Sequence, residues 1–499
     1  MNSFIRHPIS AWVLLIILHL TLMQSAIAQI YNPIVFDNYP NAGVGIQRSG
    51  SGFILLGNGA EYENGERMDA FKIALLDSVG NLNQTKTIGK AGKLWQPWWG
   101  GFMKDSTSGY IALGGSREIN SNNWVPLIAK FTLLGDTAWV REYLQLGRAG
   151  FYDGLVTPEG DYLLVGVVYP AATPTLGDVL LVKTDTSGTV LWSRTFGGGA
   201  NDVGGSIGRL SNGNYVIGAG SDSFSPDGIT DGWTIIVDSQ GIQLNNFTIG
   251  TIGDDSGVFV YPSGANSFFY VQKIDTVLNQ GDYRYPLRVG LHQSDGTENW
   301  SHIFSTRSHQ EPFSGLVLPD SSFLLMGYIV NYQGSTSRPG WLVNISKTGQ
   351  VLWERILTDV SRSNILADGL RLPDGRLAFT GNCFPDQKSG SDMYLLILDA
   401  KGCFTPGCDS LDVSIDDLAG HDPRLPLRAY PNPATSRLTL AWDVPIPAGT
   451  LTVLDAAGRV VLETPLSPGT TEYETDVANL PAGVYVARVG ASAVRWVRN

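Results

Sequence analysis

Gly204-Gly205-Ser206-Ile207-Gly208 has the form G-x-S-x-G, the pattern that presents a serine nucleophile on a sharp strand-to-helix turn. Apolar β-type segments flank it on both sides here, so no helix follows to expose the hydroxyl. Asp222, Asp227 and Asp231 lie within "SDSFSPDGITDGW", where carboxylate oxygens on a loop could take Ca²⁺. A solvated Gly-Asp turn is the plainer reading, and no cofactor is required. His292, His302 and His309 share one stretch without the spacing of metal ligands. A more regular set is Asp153, Asp202, Asp254, Asp255, Glu311 and Asp368, each at or just before one kind of strand-like segment. Paired acids suffice for glycoside chemistry. Of the three cysteines, Cys403 and Cys408 could close a short loop around "TPG", leaving Cys383 free. Pairing of Cys383 with either one is the alternative.

The tryptophans divide by whether they repeat. Trp139, Trp192, Trp300 and Trp353 recur at one register, and Trp233 and Trp341 at another. Repetition at a fixed register means packing between units. Trp95, Trp98, Trp99 and Trp124 do not repeat; "LWQPWWGG" and the loop holding Trp124 could place all four on one face. Planar rings bind sugars by stacking on the apolar face of a pyranose. Local packing in a divergent unit is the competing account.

These residues need elements to position them, and the chain shows its elements by repetition. "FILLG" ends at Gly57, "YIALG" at Gly114, "YLLVG" at Gly166 and "NYVIG" at Gly218, followed by "FFYVQ", "FLLMG" and "LAFTG" at Gln272, Gly327 and Gly381. Seven copies recur at intervals of 52 to 57 residues. Each carries four strand-like segments separated by tight Gly and Asp turns, with no helical periodicity between copies. That pattern predicts an all-β chain built as a seven-bladed β-propeller. The last copy runs into "CFTPGC" where its fourth strand belongs, while "NPIVFDNYP", residues 32–40, stands unpaired ahead of the first. The N-terminal strand can therefore complete the last blade and close the ring. Long loops between second and third strands share a face with the segments entering each first strand. Any ligand is expected on that face, near an acidic channel mouth.

Composition agrees. Hydrophobic residues make up 43% and charged residues 16%, as in a globular chain. The net charge of −12 repels phosphate backbones, which excludes nucleic acid as a partner. Arg6 and His7 precede the apolar run "AWVLLIILHLTLM" and then "QSAIA", with Ala26 and Ala28 in small-x-small spacing. These features predict a signal peptide over residues 1–28. The run falls short of the roughly 20 residues that span a bilayer, so no transmembrane span is expected in the mature protein.

At the residue level, residues 30 to about 402 resemble the Gly- and Asp-rich propeller repeats of exported bacterial proteins, most closely over 195–241. That resemblance implies a fold, not a reaction. "SPDGITDGW" is similar to the Asp-box turn of sialidase-type propellers, but its spacing departs from that motif and it occurs once.

After an acidic, Pro-containing linker at 409–426 the repeat ends. Residues 427–499 read as alternating strands, enough for a small Ig-like β-sandwich. Pro431-Asn432-Pro433, "LDAAGRVV" with Gly458, "LPAGVYVARV" with Gly483, and a basic last strand with Arg495 and Arg498 resemble the C-terminal sorting domain of type IX secretion. The resemblance implies the type IX machinery as partner, passage through the periplasm, and display on or release from a gram-negative outer membrane. The sequence thus predicts a signal peptide at 1–28, a propeller at 29–408, a linker at 409–426 and a sorting domain at 427–499. The expected function is binding of a glycan, a surface polymer or a protein. A secreted carbohydrate-active enzyme with carboxylates at the channel mouth and a structural surface component are the alternatives.

Overall fold

The computed structural model describes residues 30–34, 41–404 and 427–498, apart from 64, 106–107, 174, 227, 252, 275–285, 305–308, 331–336, 359–362, 385–390, 431–433, 443–448, 456–458 and 490–491. Residues 1–29, 35–40 and the linker at 409–426 lie outside the described residues. Among those described, the structure is strand and turn throughout, with a single 3₁₀ turn at Leu144–Leu146.

The strands form as the local pattern dictates. In the unit Ala149–Val156, Tyr162–Val168, Asp178–Thr184 and Val190–Phe196, the second and third strands are buried on both faces and read as continuous apolar runs. The outermost strand alternates, with Leu191, Ser193 and Thr195 outward and Trp192 and Phe196 inward. Most turns before an outermost strand are fixed by their first side chain. Asp185 Oδ1, for instance, accepts the N–H groups of Ser187 (2.9 Å) and Thr189 (2.8 Å).

Five sheets of four antiparallel strands and one of eight make up the N-terminal part. The eight-stranded sheet joins two four-stranded halves through one parallel pair, Asp69 with Leu94. Its halves also pack face to face, Val44, Ile54, Phe71 and Ile73 against Trp95, Phe102, Ala112 and Leu127. Successive sheets repeat this contact, and alternate residues of one strand serve opposite neighbours. Leu164 packs toward Ile111 and Leu113, whereas Leu163 and Val165 pack toward Ile217 and Trp233. The cycle closes where Ala378, Leu395 and Ile397 of the last sheet meet Ile46, Phe53 and Leu55 of the first. With first strands adjoining around a common centre, the architecture is a β-propeller.

The fourth strand of the last sheet comes from the N-terminus. Ile30–Ile34 pairs antiparallel with Asp392–Leu398, from Ile30 opposite Ile397 to Ile34 opposite Met393. It begins two residues earlier than the expected 32–40, and residues 35–40 are outside the described set.

Outer-strand aromatics hold adjoining sheets together. Trp139 meets the turn glycine Gly188 of the next sheet, Trp192 meets Gly241, Trp300 meets Gly349 and Trp353 meets Gly402. Phe247 takes the same place over Gly296. Gly188 has φ +79°, and a Cβ there would lie 2.8 Å from the Trp139 ring. Both backbone conformation and space therefore demand glycine.

Residues 427–498 form two sheets, one of Leu427–Tyr430, Arg437–Trp442 and Glu472–Asp476, the other of Val460–Leu466, Gly449–Asp455, Gly483–Val489 and Ser492–Arg498. Leu438 and Leu440 of the first share one core with Leu451, Val453, Ala487 and Trp496 of the second.

Candidate functional site

Six of the first strands carry an irregularity at equivalent positions, among them Pro97/Phe102, Phe151/Asp153, Gly204/Ser206 and Leu366/Asp368. A bulge leaves residues unpaired and re-aims side chains. Two consequences follow, one for the acids and one for the aromatics.

The acids turn inward as clasps. Asp153 Oδ2 accepts the Ile207 N–H of the following sheet at 2.9 Å, and its Oδ1 accepts the Gly154 N–H at 2.7 Å. Asp368 does the same across the closure, with Oδ2 accepting from Ile46 N–H (3.0 Å) and Oδ1 from Gly369 N–H (2.8 Å) and Ser314 Oγ (3.3 Å). Burial pushes the Asp153 carboxyl up to about 7, opposed by its two amide bonds and helped by Asp368. It pushes Asp368 up to about 6, again against its hydrogen bonds. Tyr261 is raised too, by burial first and then by the charges of Asp153 and Asp368, so groups from three separate sheets sense one another about the centre.

The other expected acids differ in their surroundings. Asp202 is buried and accepts from Ser221 Oγ, Ser223 Oγ (2.7 Å) and Gly198 N–H (2.8 Å). Glu311 pairs with Lys273 Nζ at 2.5 Å. Asp254 is exposed, whereas its neighbour Asp255 is buried and accepts from Thr251 N–H at 2.6 Å. Of the acids expected at a channel mouth, Asp153, Asp202 and Asp368 spend oxygens on backbone amides and hydroxyls of the scaffold. Ser206 of the G-x-S-x-G stretch lies inside the strand Asp202–Arg209 and accepts the Val260 N–H at 2.9 Å, another link between sheets.

The aromatics turn outward. Trp98 falls in the unpaired stretch between Pro97 and Phe102, and Tyr152 in the one between Phe151 and Asp153. Their rings meet edge to face at 5.5 Å, and Trp98 meets Trp124 at 6.0 Å. With Gly115, Arg148, Gly150, Val167 and Tyr169 they line a cleft of about 100 Å³ between adjoining sheets. The four rings are half-buried. Arg148 lies 4.1 Å over Tyr169 and Arg117 lies 5.0 Å over Trp124. Burial raises the Tyr152 phenol, with Tyr169 adding and Arg148 opposing, which places all three within one field. A Cβ on Gly115 would stand 2.8 Å from the Trp124 ring and 3.5 Å from Trp98 Nε1. Glycine there keeps the cleft open.

Trp95, expected on this face, is instead only 8% exposed and packs against Phe71 at 6.2 Å. The Trp99 side chain lies outside the described set. Tyr152, Tyr169, Arg148 and Gly115 were missed, because no sequence signal marks a bulge or the cleft between two units. A larger apolar pocket of about 330 Å³ occupies the corresponding place between two later sheets, lined by Val203, Gly220, Val258, Val271 and Lys273.

Asp222 accepts from Thr230 Oγ1 at 2.6 Å, Asp231 is buried, and Asp227 lies outside the described residues. Among the described residues no group of three or more potential metal ligands comes together. His292 is buried and stacked on Phe247 at 5.4 Å. Cys403 is disulfide-bonded and Cys383 is a free, buried thiol, so Cys383 is not the partner of Cys403; Cys408 is outside the described set. In the tail, Gly483 pairs with Arg498, whose Nε and Nη2 donate to the Val477 and Ala478 carbonyls at 3.0 Å each. Arg495 pairs with Val486 through the backbone. Pro431, Asn432, Pro433 and Gly458 lie outside the described residues.

Two levels of identity follow from comparison with known proteins. The architecture is a β-propeller followed by a separate two-sheet unit, and that unit, residues 428–498, matches the secretion system C-terminal sorting domain family. The chain is accordingly one that type IX secretion delivers to the cell surface or beyond. Among the described residues no helix is long and apolar enough to cross a membrane. No curated protein matches. Similar solved structures include a protein of unknown function from Dyadobacter fermentans (14% identity, 62% of this chain and 98% of that one, TM-score 0.40). Another is the β-propeller domain of the Trilobed protease from Pyrococcus furiosus (10% identity, 72% and 95%, TM-score 0.41). A third is polysaccharide lyase Uly1 (10% identity, 72% and 90%, TM-score 0.44).

Proposed function

We propose that this chain is a seven-bladed propeller, the eight-stranded sheet counting as two blades, that serves as a non-catalytic glycan-binding module outside the cell. A signal peptide at 1–28, a propeller at 29–408, a linker at 409–426 and an Ig-like sorting sandwich at 427–499 complete the organisation. The carrying observation is the cleft of Trp98, Trp124, Tyr152 and Tyr169, four half-buried rings on the face where the loops gather. Rigid rings held by bulges offer stacking surface at low entropic cost. The carboxylates that glycoside hydrolysis would need are committed to holding sheets together, which favours binding over turnover. A glycan array probed with the mature chain tests this reading, followed by turnover assays on each hit. A bound oligosaccharide that the protein leaves intact, and whose binding is lost in Trp98→Ala, supports it. Cleavage of the bound glycan supports the enzyme alternative, and absence of any glycan hit removes the reading.

A further inference from the structure

We infer that the glycan taken by the aromatic cleft is acidic, a uronate- or sulfate-bearing sugar; this rests on the glycan-binding reading above. The argument comes from the polarity of the wall. Every polar side-chain group that lines the cleft is able to donate a hydrogen bond: the Trp98 and Trp124 indoles, the Tyr152 and Tyr169 phenols and the Arg148 guanidinium. Among the described lining residues there is no Asp, Glu, Asn or Gln.

Trp98 Nε1 carries the point furthest. It is shielded from solvent, finds no acceptor among the described residues, and stands beside Gly115 of the lining. A buried N–H without a partner is costly, and a ligand oxygen placed there would satisfy it. Neutral sugars, whose hydroxyls both donate and accept, are usually met by a mixture of acceptors and donors. The side chains of this cleft offer only phenolic oxygens as acceptors, and a carboxylate or sulfate needs none.

Charge decides between the ligand classes that aromatic cages can take. Four rings alone would suit a quaternary ammonium through cation–π attraction. Here Arg148 and Arg117 already lie over Tyr169 and Trp124 and add positive charge, so a cationic ligand is repelled and an anionic one attracted. Among the described residues, two carboxylates on the strands beside the cleft are turned to a lysine instead. Glu142 and Glu118 both face Lys93 Nζ, at 2.7 and 3.5 Å. The cleft thus sets a local positive, donor-rich patch on a chain of net charge −12. Ring contacts hold the sugar body, and the arginine selects its charge.

The test measures affinity of the mature chain by calorimetry for a short oligogalacturonate, the size-matched neutral galactose oligomer, and a sulfated galactose oligomer. One or both anionic probes should bind roughly tenfold or more tightly than the neutral one, the worth of one charge-assisted hydrogen bond. That preference should shrink as salt rises. Arg148→Gln should bring the anionic-to-neutral ratio close to one, with Arg117→Gln as a second variant should the first unfold. Equal or tighter binding of the neutral oligomer, or a ratio that ignores both substitutions, would overturn the inference while leaving a glycan module standing. Binding of none of the three probes, with no hit on the array, would instead overturn the underlying reading.

Discussion

Asp368 Oδ2 accepts the backbone N–H of Ile46 at 3.0 Å, joining the last sheet of the propeller to the first across 322 positions of sequence. Asp153 makes the equivalent bond to Ile207 within the ring. Replacing Asp368 by Ala leaves the Ile46 amide without this acceptor and should cost about 1 to 3 kcal/mol. Asp368→Asn keeps an acceptor and should cost much less. Urea unfolding of the two variants beside the parent checks the difference; equal losses would mean that shape, not the bond, matters there.

The same two carboxyls predict a pH dependence. Both titrate above the roughly 4 of an unfolded aspartate, at about 7 and about 6. Their contribution to stability is therefore complete below about pH 4 and is lost as the pH rises through about 6 and 7. The turn carboxylates Asp77 and Asp185, held low chiefly by side-chain hydrogen bonds, contribute with the opposite sign, and they do so in parent and variant alike. Thermal midpoints between pH 4 and 8 should consequently fall less in Asp153→Asn/Asp368→Asn than in the parent. Parallel profiles would refute the assignment.

Neighbouring tryptophans should behave as opposites. Trp98→Ala should weaken binding of an array-identified glycan by about 1 to 3 kcal/mol with little change in fold stability. Trp95→Ala should destabilise the protein by about 3 to 5 kcal/mol, the range for a buried tryptophan. Calorimetric binding and denaturant unfolding on the same two variants separate these outcomes. Gly115→Val should mimic Trp98→Ala in binding, since its side chain fills the cleft.

Passage from the periplasm to the surface should depend on the tail. Removal of residues 427–499 should leave the propeller's unfolding transition in place while the protein accumulates in the periplasm of a host with type IX machinery. Fusing that segment to an unrelated periplasmic passenger should bring the passenger to the surface, read by surface labelling. Surface delivery of the truncated chain, or retention of the fusion, would contradict the role of the tail.

Residues that recur were legible in the linear chain. Trp139, Trp192, Trp300 and Trp353 announce their packing because the same environment is built again at each interval, so identical register implies identical burial. The unpaired apolar stretch at the N-terminus pointed to the edge strand Asp392–Leu398 because a sheet lacking a strand has unsatisfied amides and carbonyls. The sorting tail was legible because its motifs are local and combine at one end of the chain.

What does not repeat was decided by the tertiary structure. In strand Lys93–Asp105 the sequence alone sets Trp95 and Trp98 three positions apart, which strict alternation would put on opposite faces without saying which is buried. The irregularity after Pro97 breaks that alternation and turns Trp98 toward Tyr152, a residue of the next sheet. Asp153 and Asp368 looked like acids at a channel mouth, but a bulge beside each aims its oxygens at an amide of the neighbouring sheet. Composition and spacing determined that this chain would build sheets and close them, and the family resemblance of its tail that it would leave the cell. Which side chains reach solvent and which become clasps depended on single-residue bulges, whose backbone geometry is settled only when two sheets pack and compete for the same hydrogen bonds.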